Sequence, residues 1–217
     1  AGGDGAAIDG TPYGRQMATA AAGDPKYAYI LGKIACSEGA ALGINWAFAP
    51  VVDLDLNYHN PITNVRTYGV DPDTVIEYAT EYIRAAKECG VATSVKHFPG
   101  DGVDERDQHL LTSVNSLSVE EWDASYGKVY QALIDAGLPS IMVGHICQPA
   151  YSRRFRPGIK DSEIKPATLA PELLQDLLRG QLGFNGLIVT DASHMAGLTT
   201  AATRRDVIQG VVAAGCD

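Results

Sequence analysis

The sequence predicts an α/β fold, a partial (β/α)8 TIM-type barrel of parallel strands and covering helices, and three observations carry that expectation. Four short apolar runs recur along the 217 residues: Ala47 to Leu54, Val91 to Lys96, Ser140 to His145 and Gly186 to Asp191. They read as strands covered on both faces, because their apolar character is nearly continuous and not alternating. Helical patterns fill the intervals between them. The runs begin at residues 47, 91, 140 and 186, which lie 44, 49 and 46 residues apart. Regular βα units of this kind build barrels whose functional groups sit where strands end. A doubly wound sheet also alternates, but it carries a glycine-rich phosphate turn after its first strand. Neither GxGxxG nor GxxxxGK occurs in this sequence.

Each helix has a local reason to start or stop. Pro25 to Leu42 opens on a proline, whose missing N–H is harmless in a first turn. Asp71 to Cys89 opens on an aspartate suited to capping. Val119 to Ala136 follows Ser118, with Glu121 three residues on, the pattern of a capping box, and Gly137 stands where a left-handed cap belongs. Pro171 to Leu182 repeats the proline start and is followed by Gly183. Three segments read as long loops, Leu56 to Thr67, Gly100 to Ser118 and Gln148 to Pro166, and each directly follows a strand, as active-site loops would.

Composition sets the outer limits. With 46% hydrophobic and 20% charged residues the chain can bury a core, which excludes a disordered polymer. Seventeen Lys and Arg against 26 Asp and Glu leave a net charge of −9 with no basic run, so nucleic acid is not an expected partner. The longest apolar stretches, such as Ile44 to Val52, fall well short of the roughly 20 residues a membrane span requires, so no membrane partner is expected either. Cys36, Cys89, Cys147 and Cys216 are widely separated and lack ligand spacing. They read as ordinary thiols and not as a metal site or disulfide framework. The opening Ala1-Gly-Gly-Asp-Gly shows no basic and apolar leader, and a reducing cytoplasm is the expected compartment. Eight units of about 45 residues would need about 360, so residues 1–217 read as one barrel domain cut short at both ends.

The strand ends carry the chemistry. Lys96 and His97 leave the second strand together, before the turn Phe98-Pro99-Gly100-Asp101-Gly102. Such a pair can grip sugar hydroxyls or stabilise a carboxylate, and the competing reading is a buried lysine satisfied by an acid. Asp107-x-His109 follows in the next loop, where an aspartate can orient an imidazole and stabilise its protonated form. The alternative is a solvated loop. Asp191 closes the last apolar run and suits a nucleophile toward an anomeric carbon, a metal ligand or a helix cap. Asp53 and Asp55 leave the first strand, Arg66 sits in the loop after it, and His145 ends the third. Arg66 could hold a ligand hydroxyl or make a structural ion pair; His145 could line a pocket or be a satisfied core histidine. His59 and His194 carry no assigned role.

These motifs, taken in order, resemble glycoside hydrolase family 3, in particular its β-N-acetylglucosaminidase branch. The match runs through Phe48-Ala49-Pro50-Val51-Val52-Asp53, Arg66-Thr67-Tyr68-Gly69, Lys96-His97-Phe98-Pro99-Gly100-x-Gly102, Asp107-x-His109 and Gly186-Leu187-Ile188-Val189-Thr190-Asp191. The resemblance implies a barrel and a retaining double displacement on a terminal β-linked sugar, with no cofactor and no metal. It implies that Asp191 is the nucleophile and that His109, held by Asp107, is the general acid and base. Lys96, His97 and Arg66 would bind the innermost sugar with support from Asp53, and His145 and Met195 join the expected substrate site. An imidazole in place of a second carboxylate also makes phosphate a plausible acceptor beside water.

The sequence departs from the family at Asp101, where histidine is common, which makes Asp101 a rival proton donor. It departs again at Ala192-Ser193-His194 after Asp191. Gly2-Gly3 match the loop after the family's sugar-binding acid and put that acid just before Ala1. The expected activity is release of terminal β-linked N-acetylglucosamine, with β-glucosidase or β-glycoside phosphorylase action as the near alternative. A non-catalytic carbohydrate-binding fragment is the alternative of another class. A metal-dependent hydrolase built on His97, His109, His145 and Asp191 has no HxH or HExxH spacing behind it.

Overall fold

A computed structural model describes residues 9–217. Its strands are β1 (Trp46–Ala47), β2 (Ala92–Phe98), β3 (Ser113–Val114), β4 (Ser140–Val143), β5 (Ile146–Cys147) and β6 (Leu187–Thr190). The helices are α1 (Gln16–Ala21), α2 (Lys26–Ala41), α3 (Pro72–Glu88), α4 (Val119–Trp122), α5 (Lys128–Asp135), α6 (Pro149–Phe155), α7 (Ala196–Thr199) and α8 (Arg204–Ala214), with wide π turns over Asp123–Gly127 and Glu172–Gln181. Four parallel strands form the main sheet in the order β1-β2-β4-β6, which is also chain order, and helices occupy every crossover. This consecutive order is that of a (β/α) barrel arc, not of an open sheet that reverses. β3 and β5, from the segments after β2 and β4, pair as a separate parallel ribbon.

The helices form for the reasons the sequence suggests. Asp71 accepts from the Thr74 N–H at the start of α3, and both halves of the Ser118–Glu121 capping box are made. Val75, Tyr78, Ala79, Tyr82, Ala85 and Ala86 bury one face of α3. Gly32 of α2 admits the close approach of that helix, since a Cβ there would stand 2.8 Å from the Tyr82 carbonyl oxygen. Trp122, Tyr126, Tyr130, Val95, Phe98, Ile141 and Ile188 are fully buried between sheet and helices. Each large side chain removed from water contributes on the order of 2 kcal/mol.

Two expectations need correction. The first strand does not run from Ala47 to Leu54: only Trp46 and Ala47 pair regularly with β2, and Val51 makes a single bridge to Lys96. Pro50 has no N–H to give a ladder, and a side chain occupies the next bonding position. Gln16 donates from Nε2 to the Val51 carbonyl at 2.8 Å and accepts the Val51 N–H at 2.9 Å, so one amide side chain replaces a strand neighbour. Two of the three expected loops are not plain loops: Gly100 to Ser118 contains β3, and Gln148 caps α6 within Gln148 to Pro166.

Candidate active site

The carboxyl end of the sheet gathers the charged residues. Register is regular from Ser94 to Lys96 against β4 and then slips, Lys96 facing Met142 and Phe98 facing Val143. The extra residue is His97, and a bulge of this kind re-aims a side chain. Its Nδ1 lies 2.7 Å from Asp53 Oδ2, and its own N–H donates to Asp53 Oδ1 at 3.0 Å. Asp53 therefore fixes ring and backbone together, and a carboxylate partner identifies Nδ1 as the donor. Nε2 is left facing Asp191, 3.8 Å from Oδ2. The Asp53 side chain is fully buried and acts through His97.

Asp191 follows the end of β6 and stays in the sheet through its N–H bond to the Val143 carbonyl. Partial burial pushes its pKa up, but His97, the Ala192 N–H at 2.7 Å, Lys96 and His145 together hold it below the ordinary 3.8. It is thus kept ionised. Lys96 is pulled down by burial and by Arg66, against the opposing pull of Asp191 and Asp53. Arg66 ends a 3-10 turn (Asn64–Arg66) and donates to the Ile62 carbonyl. Arg66 and Lys96 also line a cavity of about 190 Å³ with Tyr13, Gln16 and Tyr82. Lys96 connects the two places, since it borders the cavity while its charge acts on Asp191.

The second group sits on the segment after β2. His109 Nδ1 lies 2.6 Å from Asp107 Oδ1, and the same oxygen accepts the His109 N–H. The His109 side chain is 51% exposed, against 18% for Asp191. Its loop is tied to the chain beyond Asp191 by Ala196 N–H to His109 O and Gly197 N–H to Gln108 O, each 3.0 Å. The two loops are therefore joined by their backbones.

Other predicted residues lie deeper. His145 is fully buried, its Nε2 donating to the Ala192 carbonyl and its Nδ1 facing the Thr168 hydroxyl, each at 3.1 Å. Burial holds its pKa below the ordinary value, and the bond to a carbonyl identifies Nε2 as a proton-bearing nitrogen. Met195 is 3% exposed and sits just before α7. Neither presents its side chain at an open surface. Asp101 is also buried, with burial first and Asp53 second raising its pKa. Among the described residues no three His, Cys, Asp or Glu side chains cluster as metal ligands would. Gly2 and Gly3 lie outside the described residues.

Several residues that shape the site carry no sequence signal of their own. Trp122 Nε1 donates to the Pro99 carbonyl at 2.7 Å, and the Tyr126 hydroxyl donates to the carbonyls of Asp101 and Leu54. Together they clamp the turn after His97 from the helix side. Gly100 and Gly102 have φ of 122° and 104°, and a Cβ on either would strike Tyr126 or the Leu54 carbonyl. The PGxG turn is thus a packing requirement.

A barrel arc that gathers an ionised carboxylate, a lysine and an imidazole at its strand ends, with an Asp–His dyad on the adjoining loop, has its polar groups on the face where (β/α) barrels carry their active sites. The comparisons agree on the family. The chain matches the Glycosyl hydrolase family 3 N terminal domain over residues 1–217, and it belongs to that family. It is 56% identical over 209 residues to a beta-N-acetylglucosaminidase/beta-glucosidase of Cellulomonas fimi, covering 96% of this chain and 37% of that protein. It is 32% identical to a beta-hexosaminidase of Stenotrophomonas maltophilia, over 89% of this chain and 55% of that one. Among solved structures, a beta-glucoside phosphorylase superimposes with a TM-score of 0.95 at 49% identity, over 96% of this chain and 37% of that chain. A family 3 beta-N-acetylglucosaminidase from Paenibacillus does so with a TM-score of 0.86 at 33% identity, over 95% and 39%. The chain spans between about a third and a little over half of these proteins.

Proposed function

We propose that this domain carries the catalytic centre of a retaining exo-glycosidase that releases terminal β-linked N-acetylglucosamine. The observation behind this reading is the pairing of an ionised Asp191 at a strand end with an oriented, half-exposed Asp107–His109 dyad on a loop bonded to the same region. In the first step the Asp191 carboxylate attacks the anomeric carbon while His109 gives its proton to the departing glycosidic oxygen. A glycosyl–Asp191 ester and a free aglycone alcohol result. In the second step His109 takes a proton from water, which attacks the same carbon and regenerates the carboxylate. Asp107 holds the ring through Nδ1. Lys96, Arg66 and the Nε2 side of His97 would bind the sugar, with Asp53 fixing His97, while His145 and Met195 would support the wall from within.

A second reading has its own support. The relatives include a protein named for both β-N-acetylglucosaminidase and β-glucosidase activity, and a β-glucoside phosphorylase is 49% identical. An imidazole acid/base repels an anionic acceptor less than a carboxylate would, so phosphate could replace water in the second step. Both readings are tested by chromophore release from nitrophenyl β-N-acetylglucosaminide and β-glucoside, with and without phosphate, using the natural full-length chain. Release of free sugar from the first substrate supports the glycosidase, and a sugar phosphate formed only with phosphate supports the phosphorylase. No turnover of either, from a folded protein, contradicts both and favours a binding-only role.

A further inference from the structure

Gln108 stands between Asp107 and His109, yet its side chain points the other way. It is fully buried while Asp107 and His109 are partly exposed. Its Nε2 donates to Asp101 Oδ2 at 3.0 Å, and its Oε1 accepts the His145 N–H at 2.9 Å. Since the His145 N–H can only donate, the amide has one orientation. Each end of this amide leads toward the nucleophile. Through Asp101, whose N–H donates to Asp53 Oδ1 at 2.8 Å, it reaches the carboxylate that holds His97 against Asp191. Through His145, whose Nε2 donates to the Ala192 carbonyl, it reaches the residue after Asp191.

We propose that Gln108 is a positioning residue for the Asp107–His109 dyad, a buried amide bridge from Asp101 to the His145 backbone that fixes the dyad relative to Asp191. This deepens the glycosidase reading and rests on it for its catalytic consequence. It also assigns Asp101 a different task from proton donation. Its Oδ1 accepts from Asn60 Nδ2 at 2.9 Å and from the Gly102 N–H at 2.8 Å, and Oδ2 receives Gln108. All of these partners are in the interior, so Asp101 anchors the bridge. Two glycines make room for it. A Cβ on Gly197 would stand 2.5 Å from the Gln108 carbonyl oxygen, and one on Gly144 would stand 3.1 Å from Gln108 Oε1 and 2.9 Å from Ile146 Cδ1.

The bridge can be broken and rebuilt with its polarity reversed. Gln108→Glu sets two carboxylates against each other, and Asp101→Asn, with its oxygen retained by Asn60 and Gly102, sets two amide NH2 groups against each other. Combining them lets the introduced amide donate to the introduced carboxylate, which still accepts the His145 N–H. The readouts are hydrogen–deuterium exchange of amides 104–111 and turnover of alkyl and nitrophenyl glycosides by the natural full-length chain. Each single variant should speed exchange about tenfold and lower kcat about tenfold on alkyl glycosides, less on nitrophenyl ones, with KM little changed; the pair should recover most of both. Gln108→Met, similar in size and unable to make either bond, should loosen the loop should a charged variant fail to fold. Unchanged exchange in Gln108→Glu or Gln108→Met, or no recovery in the pair, would overturn the bridge. Exchange that responds as expected in a protein with no glycosidase turnover would uphold the bridge and overturn the functional reading instead.

Discussion

The two acid–imidazole pairs of this domain use the same bond and live in opposite surroundings. Asp53 and His97 meet at 2.7 Å with side chains 0% and 3% exposed, whereas Asp107 and His109 meet at 2.6 Å with side chains 25% and 51% exposed. The first pair is built into the sheet: Asp53 also accepts the backbone N–H groups of His97 and Asp101. The second rides on a loop held by two backbone bonds and the Gln108 amide. Burial suits a group that must keep one geometry beside Asp191. Exposure suits the proposed role of His109 as a proton carrier that meets a leaving group and then an acceptor.

If the contrast is right, chemistry and stability separate when these residues are changed. Asp191→Asn should lower kcat on the order of 10⁴-fold or more with the melting transition nearly unmoved, because the nucleophile is lost and the fold is not. A variant with most of its activity would remove the basis of the nucleophile assignment. His109→Ala should cost on the order of 10²- to 10³-fold on alkyl glycosides and much less on nitrophenyl ones, whose leaving groups need less protonation. An equal loss on both would count against the acid role.

Asp53→Ala should show the reverse balance, destabilising the protein by about 3–5 kcal/mol in urea denaturation, because three buried donors lose their acceptor. Asp107→Asn, at a partly exposed pair, should cost under about 1 kcal/mol of stability while still lowering turnover. Comparable destabilisation by the two would erase the distinction between core and loop pairs. The smallest effect concerns acid. Asp191 is held below 3.8, so the stability it gives is present above that value and is lost as the pH falls through its depressed folded value. The small stability gap between the parent and Asp191→Asn should therefore hold at neutral pH and narrow only as the pH falls below about 4.

The long helices α2 and α3, the capped start of α4 and the βα alternation were legible because capping and apolar patterning act locally. Ser118 with Glu121 and Asp71 with Thr74 fall where residue type alone sets them. The candidate site was legible to the extent that charged residues at strand ends are costly unless used or paired, which singles out Asp53, Lys96, His97 and Asp191. The illegible parts are side chains standing in for backbone. Gln16 occupies a strand neighbour's bonding position at Val51, and Gln108 crosses from one loop to another, and a glutamine in a sequence has no periodicity to reveal either. His145 was ambiguous for the same reason. Only the partners at both ring nitrogens, Thr168 and Ala192, show its burial to be fully satisfied.

Covalent capture gives the sharpest test of Asp191 as the proposed nucleophile. The natural full-length chain would be treated with a slowly turned-over fluorinated glycosyl donor, digested, and searched by mass spectrometry for a sugar-bearing peptide. One label is expected, on the Asp191 carboxylate, and none in Asp191→Asn. A label on Asp101 or Asp107, or unimpeded turnover with no label on any residue, would contradict it.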